Sequence, residues 1–249
     1  MLTRNGTHDR SSAVPGSPEA VKGMVSAEEV ATVLAEDGPA SIQTLLHSAR
    51  RAIYKPHDVL YHQGHGSDTV CFITRGLLKL VSHLPNGRAR IVRLHRPGSV
   101  LGLSGLRGHC NEHTAIAVTT VSALHVPQGA IQQLRSEDPS SYVGLLERWH
   151  DYLRDADTWI VQFSTGPIRG RVARLLEFLG QFEPGATDGR VDLLTCEEMG
   201  SILGVTGESV SRILADFKRK RILSHNHDQG SESYDADLLR LRRIANEDE

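Results

Sequence analysis

Apolar residues change their spacing along the chain, and each change predicts a different kind of element. From Tyr54 to about Val126 they come in short runs of four to six residues, such as Val70-Cys71-Phe72-Ile73 and Ile91-Val92-Arg93-Leu94, with turn residues between them. Glycines recur there at Gly64, Gly76, Gly87 and Gly98, at intervals of 12, 11 and 11 residues, and Asn86-Gly87 is a strong hairpin signal. That cadence predicts an antiparallel sandwich or barrel.

The flanks read differently. Residues 1–25 mix Ser, Gly, Pro and Thr with scattered charge and almost no apolar pattern, so a disordered extension is expected. In 26–52, Val30, Val33 and Leu34, then Ile42, Leu45, Leu46 and Ala49, stand at helical spacing broken by Gly38-Pro39, which suits two short helices. After Pro127 the pattern turns helical again. Between about Ser140 and Ser164, Leu146, Trp149, Leu153, Ala156, Ile160 and Phe163 recur every 3.5 residues on average. So narrow a seam, with Arg148, Asp151, Arg154, Asp155 and Asp157 on the other faces, suits pairing between two copies of the helix and hence a homodimer. The alternative is a monomer whose helix packs on its own β-domain. Gly166-Pro167 then marks a hinge, Val172, Leu175, Leu176 and Leu179 predict a helix over Ile168 to Phe182, and 184–189 reads as a loop.

The most informative stretch runs from Thr195 to Leu214. Thr195 with Glu198 three residues on forms a capping box, Met199, Ile202 and Leu203 give a first helix its inner face, and Gly204 permits a tight turn. Thr206 can cap a second helix with Val210, Ile213, Leu214 and Phe217 inside. This is a helix-turn-helix pattern. Glu208, Ser211 and Arg212, at i, i+3 and i+4, share the outer face near the start of the second helix. There an Arg can give two hydrogen bonds to guanine, a Glu can accept from cytosine, and a Ser can make a small contact. The plain alternative is a surface ion pair between Glu208 and Arg212. Lys218-Arg219-Lys220-Arg221 follows and can meet phosphates. Thr195, Thr206, Gly207 and Ser209, at the two helix starts, are placed with Lys218 and Arg219 in the DNA-binding set. Ile222-Leu223-Ser224 and the segment near Ser233-Tyr234 can pair as a wing, and Leu238, Leu239, Leu241 and Ile244 predict a last short helix.

Composition narrows the partners. The chain has 249 residues, 39% hydrophobic and 23% charged, which suits a soluble globular protein of two units and a tail. No apolar run approaches the ~20 residues of a membrane span, and no signal-peptide stretch opens the sequence, so a cytoplasmic protein without membrane contact is expected. Net charge is −2, and from Thr195 onward 8 basic residues face 11 acidic ones, so DNA affinity must depend on where charges sit. Cys71, Cys110 and Cys196 are too far apart for a disulfide framework or a metal cluster.

Together these features resemble the CRP/FNR family of bacterial transcription regulators over roughly Ile53 to Ile244. The motifs are Lys55 to Gly64 (KPHDVLYHQG), Cys71 to Gly76 (CFITRG), Arg96 to Leu103 (RPGSVLGL), and Glu208-Ser209-Val210-Ser211-Arg212, which is similar to the FNR-type E-x-x-S-R reading helix. The resemblance implies an α+β fold: a β-roll sensor domain with flanking helices over 26–135, a dimerisation helix over 136–165, and a winged helix-turn-helix over 166–249. It also implies TTGA-like palindromic half-sites, with Arg212 on guanine, Glu208 on the opposing cytosine and Ser211 on a thymine, double-stranded DNA and a second copy as partners, and RNA polymerase as a further one.

Cyclic-nucleotide members carry a Gly-Glu pair for the ribose and an Arg before Ser/Thr-Ala for the phosphate. Here Leu103 follows Gly102, and His113 precedes Thr114-Ala115. An imidazole does not replace a bidentate guanidinium, so cyclic AMP is not expected, although Gly102, Leu103, His113 and Thr114 mark the corresponding effector pocket. Residues 1–50 contain no Cys, which argues against an oxygen-sensing iron–sulfur cluster. Two sensors stay open: haem or metal on one of the 13 histidines, none singled out, and a redox thiol at Cys110, near Arg107 and His109. A cupin-like metal enzyme is disfavoured, because His62 and His65 with Asp68 lack the His-x-His spacing and His225 and His227 fall in the wing. No catalytic or metal-binding residue is assigned. A ligand-binding module acting through protein partners is the remaining alternative.

Overall fold

The computed structural model describes residues 19–20, 45, 48–85, 87, 89–181, 189–225 and 233–246. Its glycine-paced region forms two antiparallel sheets. The first, ordered β1-β2-β9-β4-β7, consists of Glu19–Ala20 (β1), Arg50–Tyr54 (β2), Thr69–Arg75 (β4), Val100–Leu101 (β7) and Val121–Pro127 (β9). The second, β3-β8-β5-β6, consists of Val59–Tyr61 (β3), Leu78–His83 (β5), Ala89–His95 (β6) and Thr114–Ala117 (β8). The four pacing glycines sit at the turns with φ of 80°, 87°, 77° and 89°. At Gly76 a Cβ would lie 2.3 Å from the Thr120 carbonyl oxygen, so no other residue fits that turn without backbone movement.

The run Val70 to Ile73 is apolar at every position because both faces of β4 are covered. Cys71 and Ile73 point between the sheets with Tyr54, Leu78, Val121 and Ala123. Val70 and Phe72 point the other way, onto Ile131 and Leu134 of helix α1 (Gln128–Glu137) and Leu145 of helix α2 (Pro139–Ser164). Inside the roll a polar chain is closed on itself: Cys71 Sγ lies 3.1 Å from His125 Nδ1, and His125 Nε2 lies 2.8 Å from Tyr54 Oη. Burial pushes the Cys71 thiol up to about 12 and lowers His125 from its ordinary range.

Asp138 starts α2 by accepting a hydrogen bond from the Ser141 amide, with Pro139 at the first helical position. The helix ends at Thr165-Gly166-Pro167, where Gly166 has φ 79°, and helix α3 (Ile168–Gly180) begins. Next come Arg190–Asp192 (β10), helix α4 (Cys196–Leu203), helix α5 (Gly207–Arg219), Leu223–His225 (β11), Ser233–Ala236 (β12) and helix α6 (Leu238–Asn246). β11 and β12 pair as the wing, and β10 adds to β12 on its other edge. Val172, Leu175, Leu176, Met199, Val210, Phe217 and Leu241 form the core of this half.

Three expectations change. β2 begins at Arg50, so 50–52 is strand and not the end of a helix; its pairing with β9, from Arg50 opposite His125 to Tyr54 opposite Val121, overrides the local helical spacing. The N-terminal extension contributes Glu19–Ala20, which pair with Ile53 and Ala52 on the sheet edge. Phe163 does not stand at the surface as Leu146 and Ile160 of its seam do. It is 1% exposed and packs edge-to-face on Trp159 and Phe178 in the C-terminal core. Of the two helices expected before Ala49, only Leu45 and Ser48, both helical, are described; the rest, with Asn86 of the hairpin turn and the loop over 184–188, lies outside the described residues.

Candidate nucleic-acid interface

The helix-turn-helix is built by two threonine caps and three glycines. Thr195 Oγ1 accepts from the Glu198 amide at 3.2 Å while Glu198 Oε2 accepts from the Thr195 amide at 3.0 Å, the reciprocal pair that starts α4. Gly204 ends α4 in the left-handed region, with φ 69°, and Thr206 Oγ1 accepts from the Ser209 amide at 3.3 Å to start α5. Two further glycines let the helices approach. A Cβ on Gly200 would lie 2.8 Å from the Val205 carbonyl oxygen, and one on Gly207 would lie 3.1 Å from a Glu197 carboxylate oxygen. Gly200→Ala is therefore expected to lower stability by about 1–3 kcal/mol, since backbone must move to admit the methyl. Urea unfolding would show it, and an unchanged midpoint would mean that the helices can separate freely.

Met199, Ile202 and Leu203 of α4 and Val210, Leu214 and Phe217 of α5 are buried, as their spacing predicts; Ile213 is half-buried. Glu208, Ser211 and Arg212 all lie on the solvent face of α5. Glu208 and Arg212 form an ion pair with side chains 73% and 75% exposed, a contact that contributes only about 0.3–0.5 kcal/mol and is readily exchanged for base edges.

The basic run is less free than its sequence suggests. Lys218 Nζ donates to Tyr234 Oη at 2.7 Å and sits 4.3 Å from the centre of that ring, tying α5 to the wing. Arg219 and Lys220 both pair with Asp216, which also accepts from Arg169 of α3 at 2.5 Å. Those hydrogen bonds, Arg169's first, hold the Asp216 carboxyl far below the ordinary carboxylate range. A phosphate would have to compete with Asp216 for these cations. Sequence reading missed Asp216 and Arg169 because the pair spans 47 residues and no local spacing signals it.

Helix α4 also touches the β-roll. Lys79 Nζ of β5 lies 2.5 Å from Glu198 Oε1, with side chains only 12% and 17% exposed. Ser201 Oγ accepts from the Ile91 amide at 2.9 Å and donates to the Ala89 carbonyl. Burial alone would raise the Glu198 carboxyl, but the bonds from Lys79 and Thr195 outweigh it and leave the group below its ordinary value.

In the β-roll, Gly102, Leu103 and His113 line one cavity of about 160 Å³. Thr114 is buried nearby, its hydroxyl accepting from the Gln63 amide at 3.1 Å. Gly102 (φ 82°) admits no side chain, because a Cβ would lie 2.7 Å from the Thr69 carbonyl oxygen. Leu103 is 5% exposed and packs in the roll core, so its position carries neither charge nor free polar atom. Burial lowers His113, favouring the neutral ring. His95 and Asn111, missed in the sequence, line the same cavity, and each holds a buried nitrogen, Nε2 and Nδ2, without a protein hydrogen-bond partner. Cys110 is exposed. Among the described residues, no three His, Cys, Asp or Glu side chains come together as a metal site.

Burial, with smaller contributions from Arg93 and His113, drops His95 to about 3. Its ordinary value is about 6.5, so below that pH the unfolded chain takes up a proton that the folded chain refuses. Stability is therefore expected to fall as pH drops from 6.5 toward 3, by at most about 1.4 kcal/mol per pH unit. Comparing urea midpoints at pH 7 and 5 for the native chain and His95→Leu checks this. The variant should lose less, and equal losses would assign the acid limb to other groups.

On α2, Leu146 (39% exposed) and Ile160 (57%) stand at the surface with Val143 and Val161, and Ala156 is half-buried. The side chains of Trp149 and Leu153 lie outside the described residues.

A two-sheet sensor-type roll, joined through one long helix to a winged helix-turn-helix with an exposed polar triplet, is the architecture of a transcription regulator. Residues 51–138 match the cyclic nucleotide-binding domain family and residues 170–242 the Crp-like helix-turn-helix domain family. The chain is 28% identical over 190 residues to the transcriptional regulator LdrP of Thermus thermophilus, covering 76% of this chain and 93% of that protein. It is 26% identical over 195 residues to the transcriptional activator protein Anr of Pseudomonas protegens, covering 77% and 78%. The solved structure of FixK2 from Bradyrhizobium japonicum superposes with a TM-score of 0.69 at 23% identity, over 79% of this chain and 96% of that one. The chain belongs to the CRP/FNR family of transcription regulators. Among the described residues no helix is long and apolar enough to cross a membrane.

Proposed function

We propose that this regulator acts as a homodimer that reads a two-fold symmetric DNA site with TTGA-like half-sites. The observation that carries the reading is the joint exposure of Glu208, Ser211 and Arg212 on one face at the start of α5, held there by the Thr206 cap. Arg212 takes guanine, Glu208 the opposing cytosine and Ser211 a thymine, while the helix starts at Thr195 and Thr206, with Gly207 and Ser209, meet phosphates alongside Lys218 and Arg219. The unpartnered Val143, Leu146 and Ile160 support pairing through α2, because a lone helix does not gain from leaving such residues in water. In this reading 26–135 is the sensor domain, 136–165 the dimer helix and 166–249 the DNA-binding unit, and RNA polymerase is the partner on the promoter.

The β-roll controls the hinge at Gly166-Pro167 without a cyclic nucleotide. Leu103 offers no carboxylate to a ribose, and a neutral His113 offers no fixed charge to a phosphate. The protein does no catalysis of its own. A gel-shift of the full chain with a TTGA-type palindrome and a scrambled duplex of equal length tests the reading. A preference of at least about tenfold for the palindrome is expected, and equal retardation would leave only non-specific binding.

A further inference from the structure

A second cavity, of about 260 Å³, adjoins the sensor pocket and shares Arg93, His95 and Tyr152 with it, where the roll, the long helix and the C-terminal half meet. Its apolar wall is an edge-to-face cluster: Trp159 and Phe178 have ring centres 5.7 Å apart, with Phe163 completing the trio. Its polar side comes from β6 and the turn after it. Arg93 donates to the Tyr152 carbonyl at 3.0 Å and lies over the Tyr152 ring, Arg96 is exposed, and His95 stands edge-on to Tyr152 with Nε2 lacking a protein partner. Among the described lining residues, two guanidinium groups, Arg93 and Arg96, stand beside one acid, Asp155. An apolar cavity of about 150 Å³ holds benzene, so this one has room for a ring with a short polar arm.

We propose that this junction cavity binds a single-ring aromatic carboxylate, the ring against Trp159 and Phe178 and the carboxylate toward Arg93, Arg96 and the Nε2–H of His95. Stacking on the aromatic wall suits the ring, and the guanidinium groups suit the anion. Because Tyr152 and Trp159 belong to α2 and Phe178 to α3, the occupant bridges the two helices across Gly166-Pro167. It thereby fixes the angle between them. This control of DNA affinity rests on the DNA reading proposed above, but binding itself does not, and the two are measured apart.

The test titrates the full chain, without DNA, with phenylacetate, benzoate and the uncharged benzyl alcohol while following tryptophan fluorescence. The two carboxylates should quench saturably with dissociation constants of about 1 mM or below, and benzyl alcohol should bind at least about tenfold more weakly. Trp159→Phe should abolish the signal, since Trp159 is the tryptophan of the aromatic wall. Arg96→Gln, a surface change that leaves the core intact, should weaken the carboxylates by about fivefold or more and leave benzyl alcohol unaffected. No saturable quenching up to about 20 mM, or quenching that survives Trp159→Phe, overturns the site. Equal binding of benzyl alcohol overturns the carboxylate class. With bound carboxylate, affinity for the palindrome should change by at least about threefold, in either direction; binding without that change overturns the coupling across the hinge.

Discussion

Ile160→Asp is expected to yield a monomer that has lost palindrome binding by about 100-fold or more, because the second half-site then binds as an independent partner. Ile160 is 57% exposed in the isolated chain, so the substitution opens no cavity and the monomer should keep its fold. Across a two-fold axis, however, each carboxylate meets its own copy in an apolar seam, where an unpaired charge is strongly disfavoured. Light scattering on a sizing column reads the assembly and gel-shift reads the DNA. A variant that stays dimeric would move the interface off this face of α2, and a monomer with undiminished affinity would remove the need for two reading helices.

Arg212→Ala is expected to weaken binding to the specific duplex by about 1–3 kcal/mol, roughly 5- to 150-fold, while melting temperature and assembly stay as they are. Its side chain is 75% exposed and its partner in the free protein is Glu208 alone among the described residues, so little folding energy is at stake. Arg212→Lys sharpens the test. It keeps the charge but loses the two-pronged donor, so the specific duplex should suffer nearly as much as in Arg212→Ala while the scrambled duplex is hardly affected. Parallel losses on both duplexes would place Arg212 on the phosphate backbone and leave base reading to other groups.

What could be read from the chain alone was local. The Thr195 and Thr206 caps, the turn at Gly204 and the inner faces of α4 and α5 are set by residues within four positions of one another, so spacing reveals them. The four pacing glycines likewise mark turns that only positive φ allows. Long-range structure left no such signature. β10 is three residues long and exists because β12 offers it an edge. Arg50–Ala52 have helical neighbours in sequence but a strand partner 71 or more residues away. Phe163 continues the seam of α2 numerically, yet the last turn of that helix is claimed by α3, through Phe178. The orphaned nitrogens of His95 and Asn111 become visible only once burial is known.

The tie between Lys79 and Glu198 has a consequence for how the two halves come apart. The carboxylate uses Oε2 to seal the start of α4 and Oε1 to grip the lysine. When the halves separate, the seal stays closed, and of this tie only an ammonium and a single oxygen turn to water, while the Ser201 bonds to Ile91 and Ala89 and the apolar contacts of Val81, Ile91 and Leu94 are given up beside it. The DNA-reading half can thus swing away as one rigid piece, with no frayed helix end to slow its return.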